Sequence, residues 1–261
     1  MTLVRHELRQ GRVAFFIWTI SIGFLLAICV LIFPEMKGDM DSVTEMFSSM
    51  GSFSAAFGMD VVNFGSLTGF YAVECGNILG LGGAFFAALC AVPALAKEEK
   101  EHTAEFLLTH PVSRRYVVSN KLLSVLLQIM FMNIIIFGVS VGSMFAIGEE
   151  IPWEEIILLH FAYFLMQIEI AGICFGISAF LRKNSLGIGL GIATMMYFLN
   201  IIANITESAE FLKCITPFGY AEGSDIVTEL ALDSKLVLVG MVYAVLGIIA
   251  AYIRYCKKDI A

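Results

Sequence analysis

The sequence predicts an all-α integral membrane protein with six transmembrane helices, and three observations predict it. Apolar runs of about 20 residues or more recur along the chain, long enough to cross a hydrocarbon core of about 30 Å. Only 15% of the 261 residues are charged and the mean hydropathy is +0.85, whereas ordinary soluble domains carry about 25% charged residues. Charge is also sorted by side. Of the 16 Lys and Arg residues, 13 fall at the N-terminus, in the 97–121 loop, at 182–183 or at the C-terminus, while 15 of the 23 Asp and Glu residues fall in the alternate segments. That is the positive-inside pattern, with both termini cytoplasmic in a multi-pass cell-membrane protein. Lipid offers no partner for backbone polar groups, so helices satisfy them internally. Residues 1–261 then form one transmembrane domain.

Residues 1–12 place Arg5, Arg9 and Arg12 at helical spacing, with Leu3, Val4 and Leu8 between them. They read as an interfacial amphipathic helix or as a basic flank that orients the first span. The first span, 13–33, is too long for a signal-peptide core and meets Pro34 at its end. The external loop to residue 66 carries Glu35, Asp39, Asp41, Glu45 and Asp60 against Lys37, and its Met46, Phe47, Phe53 and Phe57 predict a short interfacial helix. The second span, 67–96, is long enough to tilt. Spans at 117–147 and 156–181 flank an acidic turn with Pro152 and Trp153 at the interface. Arg182, Lys183 and Asn184 form an inner turn before the span at 186–204. An acidic external segment, 205–235, carries apolar patches. The last span, 236–255, closes on Lys257 and Lys258.

Several chemistries are absent. No basic patch interleaved with aromatics points to nucleic acid, and no GxxxxGK[ST] loop is present to cradle ATP. No HExxH or GxSxG occurs. Ser140, Ser143, Ser178 and His160 lie near membrane depth, but no spacing pairs them. The six cysteines are scattered without CxxC or Cys/His clusters, which predicts reduced packing residues and no metal site. Glu169 lies near the middle of the fourth span, where an unpaired carboxylate costs several kcal/mol. No Lys or Arg lies near the middle of a span to pair with it. Gln167, Asn133, Gln128 and Asn200 are its candidate partners, and Glu169, Asn133 and Asn200 form the candidate intramembrane polar site. It reads as a polar translocation surface, a proton-sensitive latch or a neutral acid bonded between helices. Glycine pairs at 76/80, 138/142, 172/176 and 187/191 permit close helix approach, and Gly187, Gly189 and Gly191 mark the fifth span as a packing or dimer face.

The segment from Lys97 to Lys121 is the longest charged stretch. Thr103 can cap a short helix there, and Glu105 adds negative charge beside the positive end of its dipole. Pro111 stops that helix. Phe106, Leu107 and Leu108 are adjacent on it and cannot all face one membrane surface, so the loop reads as a docking element.

This loop resembles the signature of ABC-2 type permeases, the membrane subunits of a class of ABC exporter. Glu98, Thr103, Glu105, Leu107, Leu108, Pro111, Val112, Ser113, Arg114 and Lys121 match its pattern, while His102 stands where the family usually has Gly. The stretch 216–220 with Ser224, Asp225 and Ile226 is similar to a segment before the last span in one branch. The resemblance implies two permease chains, identical or sister, forming one pathway in the bilayer, with separate cytosolic ABC ATPase subunits below. ATP and Mg would belong to the ATPase, so this chain would hold no cofactor and be no enzyme itself. Residues 98–110 would form the coupling helix, anchored by Phe106, Leu107 or Leu108 and rimmed by Glu98, Glu99 and Glu105. Arg114 and Arg115 would pair with acidic residues of the ATPase or with anionic lipid. A drug, an antimicrobial peptide or a lipid-like molecule all remain open as cargo. The alternatives are a scaffold or regulatory protein that docks a cytosolic partner through the same loop, and a proton-linked carrier using Glu169.

Overall fold

Long apolar runs become long helices in the computed structural model, which describes residues 2–97, 112–181 and 186–257. All regular structure among the described residues is helical. We number the helices α1 (Thr2–Met36), α2 (Met40–Ser49), α3 (Ser52–Ala56), α4 (Leu67–Cys75), α5 (Leu81–Ala91), α6 (Arg114–Ile147), α7 (Trp153–Ser178), α8 (Leu186–Ile205), α9 (Gly223–Glu229) and α10 (Ser234–Lys257). Six candidate spans are long and apolar enough to cross a membrane: α1, the α4–α5 unit, α6, α7, α8 and α10. The protein is therefore a multi-pass, all-α membrane protein.

The helices are apolar on more than one face, as lipid requires. On α1, Ile22, Leu26, Val30 and Phe33 form the buried stripe, while Phe16, Ile17, Ile20 and Phe24 point outward. On α10, Leu238, Val242, Leu246, Ile249 and Ile253 are exposed. Since lipid is as apolar as these side chains, close packing rather than water exclusion joins the helices. α1 lies along α6, α10 lies along α7, and α5 sits between α7 and α8. At the α7–α10 crossing a Cβ on Gly176 would stand 2.7 Å from Gly247 Cα, and one on Gly172 2.7 Å from Ala244 Cβ. Only small residues allow that approach.

Three features depart from the sequence reading. Residues 1–12 do not form a separate interfacial helix: the described part continues into the first span as one helix, because no proline falls between them and a lone glycine, Gly11, is tolerated within a helix. Pro34 does not end that helix, which runs on to Met36. Proline restricts the residue before it and removes one N–H, so a helix can outlast it by a few residues. The second span is broken rather than uniform. A π-helical turn, Gly76–Gly80, joins α4 to α5 where Tyr163 presses on it, 3.0 Å from a Cβ built on Gly76 and 3.2 Å from one on Gly80. Such turns widen a helix locally to admit a neighbour.

The predicted aromatic helix of the first loop is a pair, α2 and α3, and Phe47 packs on Phe64 with ring centroids 5.1 Å apart. The 205–235 segment is not a loose loop. It makes two 3-10 turns, Glu207–Cys214 and Pro217–Tyr220, and then α9. Thr216, Pro217, Phe218, Gly219 and Tyr220 are buried, and α9 packs on α4 and α7. Cys75 and Cys174 are buried, whereas Cys214 is exposed.

Candidate functional site

The coupling-loop residues Glu98, Glu99, Thr103, Glu105, Phe106, Leu107, Leu108 and Pro111 lie outside the described residues. Its two feet are described. Lys97 forms the first foot. Its Nζ pairs with Glu7 of α1 and donates to Gln10 Oε1 at 2.6 Å. Ser113 starts the second foot by capping α6, its Oγ accepting from Tyr116 N at 3.2 Å. About two turns into α6, Lys121 donates to the other oxygen of Glu7 at 3.1 Å. Lys121 is fully buried and Glu7 is 8% exposed. One carboxylate therefore ties α1 to both ends of the 98–111 segment.

Arg114 extends the bracket. Its Nη1 makes long hydrogen bonds to the carbonyls of Tyr255 and Cys256, at 3.3 and 3.5 Å. A cation there suits the negative end of α10's dipole. Ser119 and Tyr252 hydroxyls meet at 2.7 Å on the same seam. The start of α1, the end of the second span, the start of α6 and the end of α10 are thus joined at one end of the bundle.

The candidate intramembrane residues do not share one hydrogen-bonded cluster. Asn133 Nδ2 donates to Gln167 Oε1 at 2.7 Å, linking α6 to α7. Asn200 Nδ2 instead donates to Glu222 Oε2 at 2.9 Å, as does Asn204. Glu169 is fully buried on α7, with Gly240 of α10 against its carboxylate and the Tyr220 hydroxyl facing it. Neither carboxylate oxygen nor the phenol makes a hydrogen bond of good geometry among the described residues. Gln128 bonds the Ser124 carbonyl within its own helix.

Ser140 and His160 do meet, through Tyr71. The Tyr71 hydroxyl donates to Ser140 Oγ at 2.7 Å and lies 2.8 Å from His160 Nε2. A nucleophile needs direct contact with its base. Tyr71 stands between the two, so this node joins α4, α6 and α7 through one hydroxyl.

Two features escaped the sequence. Glu7 could have been noticed as the lone acid before Glu35. Glu222 offered no such signal, because its segment is acidic throughout. Burial raises the Glu222 carboxyl above its ordinary 4.5, opposed by the amides of Asn204 and Asn200. Asp225 is also raised by burial, with Lys213 pulling it down.

Compared with known families, residues 1–260 match the family described as ABC-2 family transporter protein. No curated protein matches the chain.

Proposed function

The chain belongs to the ABC-2 family of transporter proteins as a multi-pass permease, and from that premise we propose that it works as a dimer with an identical or sister chain, driven by a separate ATP-binding subunit. That subunit binds ATP and Mg and docks on the 98–111 segment. Phe106, Leu107 and Leu108 enter its surface, Glu98, Glu99 and Glu105 surround them, and Thr103 and Pro111 bound the short helix. The cargo is a drug, an antimicrobial peptide or a lipid-like molecule moved outward.

The observation that supports this reading is the bracket at the loop's feet. A docking loop transmits displacement only if its ends are anchored to the moving helices. Here Lys97 and Lys121 are both held by Glu7, and Arg114 holds the end of α10. A push on the loop would therefore reach α1, α5, α6 and α10 together.

The test is affinity purification of the detergent-solubilised chain from its native membrane, beside a variant with Phe106, Leu107 and Leu108 all changed to Ala. A P-loop ATPase recovered with the parent and lost from a still-folded variant is the expected result. No ATPase with either chain overturns the reading. The buried Glu169 favours a second reading, a proton-linked carrier, which requires flux without ATP that Glu169→Gln abolishes.

A further inference from the structure

Helix α8 packs on α5 and on the turns of the 207–220 stretch, while α7 and α10 pack on each other. The seam between α8 and the α7–α10 pair opens outward as a groove of about 490 Å³. Gly176 of α7 and Gly247 of α10 lie in it, and their close backbone approach places no side chain there to fill it. Ile177, Leu246 and Ala250 line it further. Met196 and Ile215 add an apolar wall from α8 and the 205–235 segment. The Thr216 hydroxyl donates to the Met196 carbonyl at 2.9 Å, and Met196 falls near the middle of α8, so that wall stands at mid-depth.

The other end of the groove is Phe180, two residues past the end of α7. The Arg254 guanidinium lies over this ring, 5.7 Å from its centroid. That contact holds the cation at the mouth of the groove. Arg254 is exposed and makes no hydrogen bond or ion pair among the described residues. Lys257, also exposed, stands about one turn further along α10 on the same side. Glu7 is the one acid among the described residues at this end of the bundle, and Lys97 and Lys121 occupy it. The charge of Arg254 and Lys257 is therefore left for a ligand.

We propose that the groove holds one acyl chain of an anionic glycerophospholipid, with its headgroup phosphate on Arg254 and Lys257. The length fits one leaflet. From Arg254 back to Tyr243, which lines the deep part of the groove, is about 16 Å along α10, close to half of a hydrocarbon core of about 30 Å. The wall is apolar apart from the Tyr243 hydroxyl, and it opens beside the lipid-facing Leu246, Ile249 and Ile253, so a chain enters sideways from the bilayer. A guanidinium presents its planar fork to phosphate oxygens. A zwitterionic lipid brings an ammonium of its own to the same two cations, which disfavours it against an anionic one. The bound lipid joins α8 to the α7–α10 pair where the chain itself makes little contact.

The lipid is a resident of the bundle and not its cargo. The proposal goes beyond the permease reading and is tested without the ATPase, so its failure leaves that reading standing. The full chain in detergent micelles is titrated with phosphatidylglycerol and with phosphatidylcholine of the same acyl chains, and native mass spectrometry counts the bound lipids. The first phosphatidylglycerol binds about fivefold or more tighter than phosphatidylcholine, since one basic side chain near the headgroup contributes about that factor. Arg254→Gln brings the two affinities together. Ala250→Trp fills the groove and weakens both lipids by about tenfold or more, whereas Leu238→Trp, on the exposed outer part of α10, leaves them unchanged. Equal affinity of the parent for both lipids overturns the proposal, as does a preference that persists in Arg254→Gln. A preference that survives in folded Ala250→Trp belongs to basic residues elsewhere and also overturns it. If Ala250→Trp does not fold, Phe180→Ala replaces it, and parental affinity for phosphatidylglycerol in that variant overturns the proposal. A lipid-free parental dimer that Ala250→Trp converts to monomers overturns it too and gives the groove to a second copy.

Discussion

Glu7→Gln tests the bracket most directly. Glu7 holds two lysines of unequal burial: Lys121 is fully buried, whereas Lys97 is 18% exposed and also bonds Gln10. The amide keeps one acceptor but removes the charge. A buried ion left without its counter-charge destabilises by about 3–5 kcal/mol, while a pair nearer the surface contributes about 0–1 kcal/mol. The single substitution is thus expected to destabilise by roughly 3–4 kcal/mol, nearly all of it through Lys121. Lys121→Met removes the buried cation and leaves Glu7 paired with Lys97, which amounts to about 1 kcal/mol. In the double variant neither buried charge remains, and replacing a buried pair by apolar volume is often close to neutral. The coupling energy of the cycle, the double variant less the two singles, is then about 4–5 kcal/mol in magnitude. Chemical unfolding of the four proteins in detergent micelles, followed by tryptophan fluorescence, reads it. Coupling below about 0.5 kcal/mol, the range of independent sites, would refute the bracket.

Other outcomes follow from single contacts. Gly176→Leu drives a side chain into Gly247, whose nearest atoms are backbone and cannot step aside; a loss of about 1–3 kcal/mol or more is expected in the same unfolding assay. Tyr71→Phe leaves Ser140 and His160 without their shared hydroxyl, a loss of about 1–3 kcal/mol. Gly83→Ala, which collides with the Gln167 amide, is expected to lower the unfolding midpoint, whereas Gly138→Ala, facing open space, is expected to leave it unchanged or raise it. Glu222 gives a pH signature. Its carboxyl is raised above 4.5 in the folded chain by burial, so the folded state binds more protons than the unfolded one. The stability from this group is present below 4.5 and declines as pH rises through the folded value. Glu222→Gln removes that decline, seen as a shallower stability profile from pH 4.5 upward.

What the sequence made legible was set by length and charge. Six long apolar runs and the sorting of lysine and arginine are local facts, and six spanning helices follow from them. A short helix in the first loop was visible in Met46, Phe47, Phe53 and Phe57, because aromatic residues need a surface, but its division into a pair was not. The partners were not legible. Glu7 lies 90 residues from Lys97 and 114 from Lys121, and each lysine alone looks like a flank that orients a span. Asn200 looked like a partner for Glu169, since both fall within spans. It turns to Glu222 instead, because the 205–235 segment folds back into the bundle rather than facing water. The π-helical turn arises from the pressure of Tyr163 on a glycine-rich stretch, and glycine content alone does not say which large side chain will use it.

The glycines show why pattern and packing part company here. GxxxG spacing treats every pair alike, yet their surroundings differ in kind. Gly172, Gly176 and Gly247 bring backbones together, while Gly138, Gly142, Gly187 and Gly191 meet nothing within 4 Å and Gly189 packs on α5. A third group does something else: Gly11 faces Gln128, Gly58 faces Ser224 and Glu222, Gly83 faces Gln167, and Gly240 faces Glu169. Each of the four leaves the space of one Cβ to the tip of a buried polar side chain. Within the bilayer the tips of Gln128, Gln167 and Glu169 cannot turn to solvent, and an amide or carboxyl needs more room than the alkyl stem below it. A glycine on the facing segment supplies that room without parting the helices. The placement of glycine in this bundle therefore reports where polar groups are buried, and its two carboxylates, at Glu169 and Glu222, mark the middle of the bundle and the end opposite the bracket.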